Sequence, residues 1–104
     1  MQSKANIDTA DGKDGWTPLS GVCYFGHTAI VQLLIQNQVN IEKPNNAGCT
    51  PLFLACQRGH GDIANILMQT KANIETPNIH NYTPLSVACK EGHIEIVNIL
   101  LNNK

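Results

Sequence analysis

Three pairs of residues in this chain have the types and spacing of reactive chemistry: Cys23 with His27, Cys56 with His60, and Cys89 with His93. On a helix, residues four apart share a face. A cysteine and a histidine held that way could bind zinc or act as a nucleophile with its base. The surrounding stretches are close copies: 17–27 reads TPLSGVCYFGH, 50–60 TPLFLACQRGH and 83–93 TPLSVACKEGH. Thr17, Thr50 and Thr83 stand 33 residues apart, as do Gly26, Gly59 and Gly92, and the three histidines. A fixed period of this size is the mark of stacked repeats. Metal binding needs such pairs to converge, whereas stacking translates them along an axis. Catalysis would also need an orienting third group and a pocket, and the sequence shows neither.

The elements that carry these residues must fit one domain, since the chain has 104 residues. Hydrophobic residues make up 42% and aromatic ones 5%, so a core is possible and must be aliphatic. Net charge is −1 and no Lys/Arg cluster occurs, which argues against a nucleic-acid partner or an anionic membrane surface. Apolar runs such as IVQLLI and IVNILL are too short to insert in a bilayer. The opening MQSKANID has no apolar core and does not read as a signal peptide, so the expected location is cytoplasmic or nuclear. No glycine-rich phosphate loop, paired carboxylates or activated nucleophile is legible. The expectation is no enzyme activity and no cofactor. Cys23, Cys56 and Cys89 hold one place in successive repeats, about 10 Å apart as packed helices are, beyond disulfide reach. They read as small buried thiols; Cys49, just before a helix start, is expected to be the more exposed.

The middle copy shows the elements. Thr50 can cap a helix and Pro51 can open it. PLFLACQR gives about two turns, with Leu52, Ala55 and Cys56 on one face. Gly59 suits the left-handed residue at a helix end. A second helix over roughly 61–69 carries Ile63, Ala64, Ile66, Leu67 and Met68 as its stripe. The following TKANIETPNIHNY has turn chemistry. Neither helix is long enough to persist alone. The Leu19/Leu52/Leu85, Ile30/Ile63/Ile96 and Leu34/Leu67/Leu100 ladders are expected to stack into one core.

Units of 33 residues with Thr-Pro-Leu, Gly-His and a QLLI, NILM or NILL ending resemble ankyrin repeats. The resemblance implies an all-α solenoid of stacked antiparallel helix pairs with β-turn-like fingers. It divides the chain into a partial preceding repeat or finger (1–16), repeats at 17–49 and 50–82, and a truncated C-terminal repeat (83–104). Thr17, Thr50, Thr83, Gly26, Gly59, Gly92, His27, His60 and His93 would then be structural, the histidines bonding backbone groups of neighbouring units. Ser20, Phe53 and Ser86 stand where the family usually has histidine, and Phe53 cannot make that bond. Gln38 and Lys71 replace the usual glycine after the second helix, with Asn37 better able than Thr70 to turn left-handed there. One extra residue before Thr17 predicts a loosened turn in DTADGKDGW.

Ankyrin repeats bind other proteins through a concave surface of finger tips and first helices. Carried over, the tips are Lys13, Asp14 and Trp16, then Asn46, Ala47 and Cys49, then Ile79, His80 and Tyr82. The first helices add Tyr24 and Phe25, Gln57 and Arg58, and Lys90 and Glu91. Four of the five aromatic residues fall on these positions, as interaction surfaces favour. The alternative is that Tyr24 and Phe25 cover an N-terminal face. The expected function is a non-catalytic protein-interaction module; the alternatives are a targeting or regulatory segment of a larger enzyme, receptor or effector, or a self-associating fragment. The last helix is as apolar as the internal ones, whereas ankyrin domains usually close with polar outer faces. A homo-oligomer through uncapped repeat ends is therefore a possible state.

Overall fold

The computed structural model describes residues 5–103. Among these are six helices and no strand: α1 Pro18–Phe25, α2 Thr28–Gln36, α3 Pro51–Arg58, α4 Gly61–Gln69, α5 Pro84–Glu91 and α6 Ile94–Asn102. The fold class is the all-α solenoid that the resemblance implies. Residues 1–4 and 104, the outer ends of the expected 1–16 and 83–104 segments, lie outside the described residues. No helix in the described residues is long and apolar enough to cross a membrane.

Local chemistry delimits each first helix. Thr17, Thr50 and Thr83 are extended, and their hydroxyls accept from the backbone N–H of Ser20, Phe53 and Ser86. Proline follows each, where a missing N–H costs no helical bond. Gly26, Gly59 and Gly92 end these helices in the left-handed region. The first helices stack α1 on α3 on α5, and the second helices α2 on α4 on α6. The result is elongated, 48 × 26 × 21 Å.

Burial along the stack shows which way each position faces. Ile30 is 44% exposed, whereas Ile63 and Ile96 are buried, so this position looks toward the preceding pair. Cys23 and Cys56 are buried and Cys89 is exposed, so the cysteines look toward the following pair. The reading of all three as buried thiols fails at Cys89, since no described helix covers α5 on that side. Cys49 also departs from expectation. It is buried, with Sγ 4.0 Å from the Ala47 carbonyl oxygen, and burial pushes its thiol pKa up.

The middle helix start differs from its neighbours. The Ser20 and Ser86 hydroxyls accept from the Thr17 and Thr83 N–H groups at 2.7 and 2.8 Å, completing reciprocal capping boxes. Phe53 cannot reciprocate, and its ring is instead buried in the core. A cap bond is worth about 1 kcal/mol, and burying a phenylalanine roughly 1.5–3 kcal/mol. Packing wins at this position.

The second helix of the middle unit ends at Gln69 as expected, but the left-handed residue after each of the first two second helices falls one position later than the sequence suggests. Asn37 and Thr70 keep negative φ, and Gln38 and Lys71 take φ of 63° and 75°. The cause is the closing pattern: the N–H groups of Val39 and Ala72 donate back to the Leu34 and Leu67 carbonyls. That loop needs a left-handed residue just before its donor. A side chain there costs about 1–2 kcal/mol, part of which glycine would return as unfolded-state entropy. Gln38→Gly and Lys71→Gly should each raise stability by about 0.5–1 kcal/mol, measured as a later urea midpoint. An earlier midpoint would mean that the side chains contribute more than the strain costs.

Candidate functional site

The fingers are built on one polar side chain each. The Asn45 Oδ1 accepts from the Ala47 and Cys49 N–H groups, both at 3.0 Å. The Asn78 Oδ1 accepts from those of His80 and Tyr82, also at 3.0 Å. In the first finger the extra residue loosens nothing, contrary to expectation. The Asp11 Oδ1 accepts from Asp14, Gly15 and Trp16 at 3.0, 2.8 and 3.1 Å. The Trp16 N–H, against slight desolvation and with help from Asp14, Gly15 and Lys13, holds the Asp11 carboxyl below its ordinary pKa.

Successive fingers are laced together through the backbone. The Asn46 N–H donates to the Asp14 carbonyl at 2.8 Å, and the Ile79 N–H to the Ala47 carbonyl at 3.0 Å. The Asn46 side chain also donates to the Lys13 carbonyl at 3.2 Å. This lacing requires close approach. A Cβ on Gly48, which has φ +77°, would lie 2.9 Å from the Ile79 nitrogen. Asn81 takes the equivalent place in the last finger with φ 69°. No described finger follows it, so only the dihedral is demanding there, and asparagine tolerates that.

The expected surface residues fall into two groups. Asp14, Trp16, Tyr24, Asn46, Cys49, Gln57 and Ile79 line one open concavity of about 450 Å³, together with Asn45, Ala47 and Leu54. Trp16 meets Tyr24 edge-on at 5.1 Å, and Tyr24 meets Phe25 edge-on at 5.0 Å. The Arg58 guanidinium sits 4.6 Å from the Tyr24 ring centroid, a cation–π contact from the next unit. Tyr24 is thus engaged by the second helix pair rather than spread over an N-terminal face. Phe25 and Ile79 stay about two-thirds exposed, at 67% and 66%. Lys90 and Tyr82 form a separate pair at 5.0 Å, and Lys13, His80 and Glu91 are exposed without lining the concavity. Asn45 and Leu54 were not foreseen. Asn45 had a usable signal, standing five residues before Thr50 as Asn78 stands before Thr83. Leu54 had none, because its helix is buried nearly all round.

The cysteine–histidine pairs are drawn apart. The His60 Nε2 donates to the Tyr24 carbonyl at 2.9 Å, and the His93 Nε2 to the Gln57 carbonyl at 3.1 Å. A carbonyl can only accept, so these nitrogens carry the proton. Each ring lies on a glycine of the preceding unit: a Cβ on Gly26 or Gly59 would come within 2.7 Å of it. His60 therefore faces backward and Cys56 forward. Burial pushes the Cys23 and Cys56 thiols up to about 12, where the reactive thiolate is scarce.

A family model described as ankyrin repeats in three copies matches residues 1–78 and again 45–104. The chain belongs to the ankyrin repeat family. No curated protein sequence matches it as a relative. Ankyrin repeats are in general protein–protein interaction modules, and the laced fingers and aromatic cluster lie on an ankyrin framework.

Two predictions follow from these geometries. Asp11 has a lowered folded-state pKa, so its stabilisation is present above the ordinary carboxylate range and lost as pH falls. Asp11→Ala should be less stable than wild type at neutral pH, and the gap in urea midpoint should narrow between about pH 5 and about pH 3. A gap independent of pH would remove the carboxylate from this role. His60→Ala should cost about 1–2 kcal/mol in urea unfolding of dilute protein. His27→Ala, whose ring reaches no preceding unit among the described residues, should stay within about 0.5 kcal/mol; equal losses would contradict the inter-unit bond.

Proposed function

We propose that this ankyrin-repeat chain, with repeats at 17–49, 50–82 and 83–104, is a non-catalytic module that binds another protein on its finger and first-helix surface. The observation that carries the reading is the Trp16–Tyr24–Phe25 cluster beside the concavity, braced by Arg58. Rigid aromatic groups with one open side are the usual energetic centres of interfaces. The concavity takes an apolar side chain of an extended partner segment, with Ile79 as its exposed wall and Phe25 exposed next to it against Tyr24. Gln57, Asn46 and Asp14 offer polar contacts around it. The absence of chemistry is supported by how its candidates are used: histidines tied to carbonyls, and two thiols deep in the stack.

Peptides selected from a random display library on the wild-type protein provide the test. Titration calorimetry of the selected peptides should show a loss of at least about tenfold for the Phe25→Ala/Ile79→Ala double variant, the size expected of a hot spot. Asn65→Ala, on an exposed position of α4, should leave affinity unchanged. Peptides that bind the double variant as tightly as wild type would overturn the assignment.

A further inference from the structure

Several charged side chains in the turns are taken up by the framework. The Asp8 and Glu42 carboxylates accept from the Asn40 and Asn73 N–H groups, each at 2.8 Å. Asp11 accepts from three N–H groups of its own finger, and the Lys43 ammonium donates to the Asp8 carbonyl at 3.0 Å. Arg58 and Lys90 differ. Both are exposed on first helices, and among the described residues neither side chain makes an ion pair or donates a hydrogen bond. Each is laid on a tyrosine instead: the Arg58 guanidinium carbon lies 4.6 Å from the Tyr24 ring centroid, and the Lys90 ammonium 5.0 Å from that of Tyr82. The ring fixes where the charge sits but supplies no oxygen acceptor for the donors that a guanidinium or an ammonium carries.

The two cations stand toward opposite ends of the recognition surface. Tyr24 lines the concavity from the first unit, and Tyr82 stands in the same finger as Ile79, which lines it too. First helices of successive units pack about 10 Å apart, so the two rings are on the order of 20 Å apart, about six residues of extended chain. Between them the concavity is apolar on Trp16, Leu54 and Ile79, and its one charged lining group is Asp14. A carboxylate entering there would meet like charge. Glu91 follows Lys90 but points about 100° away round the helix. The surface is thus apolar and anion-repelling at its centre, with a tethered cation on either side. A nucleic-acid strand fits this pattern poorly, because its negative charge is continuous and would run across Asp14.

We propose that the partner segment is acidic on both sides of its apolar anchor. One carboxylate meets the Arg58 guanidinium, a second meets the Lys90 ammonium about six residues along, and the apolar side chain enters the concavity between them. This pattern rests on the finger and first-helix surface being the partner-binding face, and it adds the chemistry of what binds there. The two ends differ in stringency. Arg58 can hold a carboxylate through two parallel N–H···O bonds, which fix its orientation, whereas Lys90 offers a point charge that tolerates several positions. The acidic residue at the Arg58 end is the more sharply placed of the two.

Random peptide display, run in parallel on wild type and on the Arg58→Glu/Lys90→Glu double variant, tests this. Wild type should select an apolar residue with Asp or Glu on both sides. The charge-reversed protein should keep the apolar residue and exchange the flanks for Lys or Arg. In titration calorimetry of a peptide selected on wild type, Arg58→Gln should weaken binding about tenfold and Lys90→Gln about threefold, with Arg58→Lys recovering part of the first loss. Added salt should weaken binding to wild type more than to either glutamine variant. Both side chains are exposed, so all these variants should keep their helical circular dichroism. Wild-type peptides that lack acidic flanks, yet lose affinity for Phe25→Ala/Ile79→Ala, would overturn the charge pattern and leave the binding face in place. Acidic peptides indifferent to Phe25→Ala/Ile79→Ala and to Arg58→Gln would overturn both. Acidic flanks selected equally by the charge-reversed protein would remove Arg58 and Lys90 from the recognition.

Discussion

The contact of one helix pair on the next is the interaction on which everything else here depends. Each helix has eight or nine residues, too few to hold together in water. Burial arises when a neighbour covers a face, which is why chemically equivalent residues differ so much in exposure. Ile63 is enclosed and Ile30 is not; Cys56 is enclosed and Cys89 is not. Stability is then a sum over neighbours along a short line, and the middle unit, covered on both sides, has the most completely buried helix.

The same stacking consumes the residues with the most chemical potential. A histidine ring placed on a glycine of the preceding unit can reach that unit's free helix-end carbonyl, and the bond fixes spacing as well as orientation. Cys23 and Cys56 fill narrow, fully buried places between neighbouring helix pairs. Burial suppresses their ionisation for the reason that it makes them useful spacers: there is no water beside the sulfur. Two residue types that could make a metal site or a nucleophile thus serve opposite faces of one unit.

What is left for recognition is the edge where packing makes no demand. Finger backbones are laced to one another and to their own asparagine or aspartate, so the polar main chain is satisfied without using most of the tip side chains. Those side chains are free to vary while the framework stays rigid. Aromatic residues gathered there add apolar surface at little entropic cost, and the Arg58–Tyr24 contact ties the first unit's aromatics to the second.

Period, helix starts, glycine ends and the apolar stripes were all legible in the sequence, because each rests on residues within a few positions of one another. Pro18, Pro51 and Pro84, each after a capping threonine, suit the first helical position, and Gly26, Gly59 and Gly92 could end the helices without strain. The sequence also located the finger residues, through an offset from Thr-Pro that does not vary between the second and third units. Only the tertiary structure decided which members of a ladder are covered. Cys89 and Cys49 exchanged their expected environments because exposure depends on a neighbour many residues away, not on local pattern. It alone put the left-handed residue at Gln38 and Lys71, where hydrogen-bond closure overrode side-chain preference. It alone gathered Asp14, Trp16, Tyr24, Asn46 and Ile79 around one concavity, since residues a full period apart meet only once the stack is built.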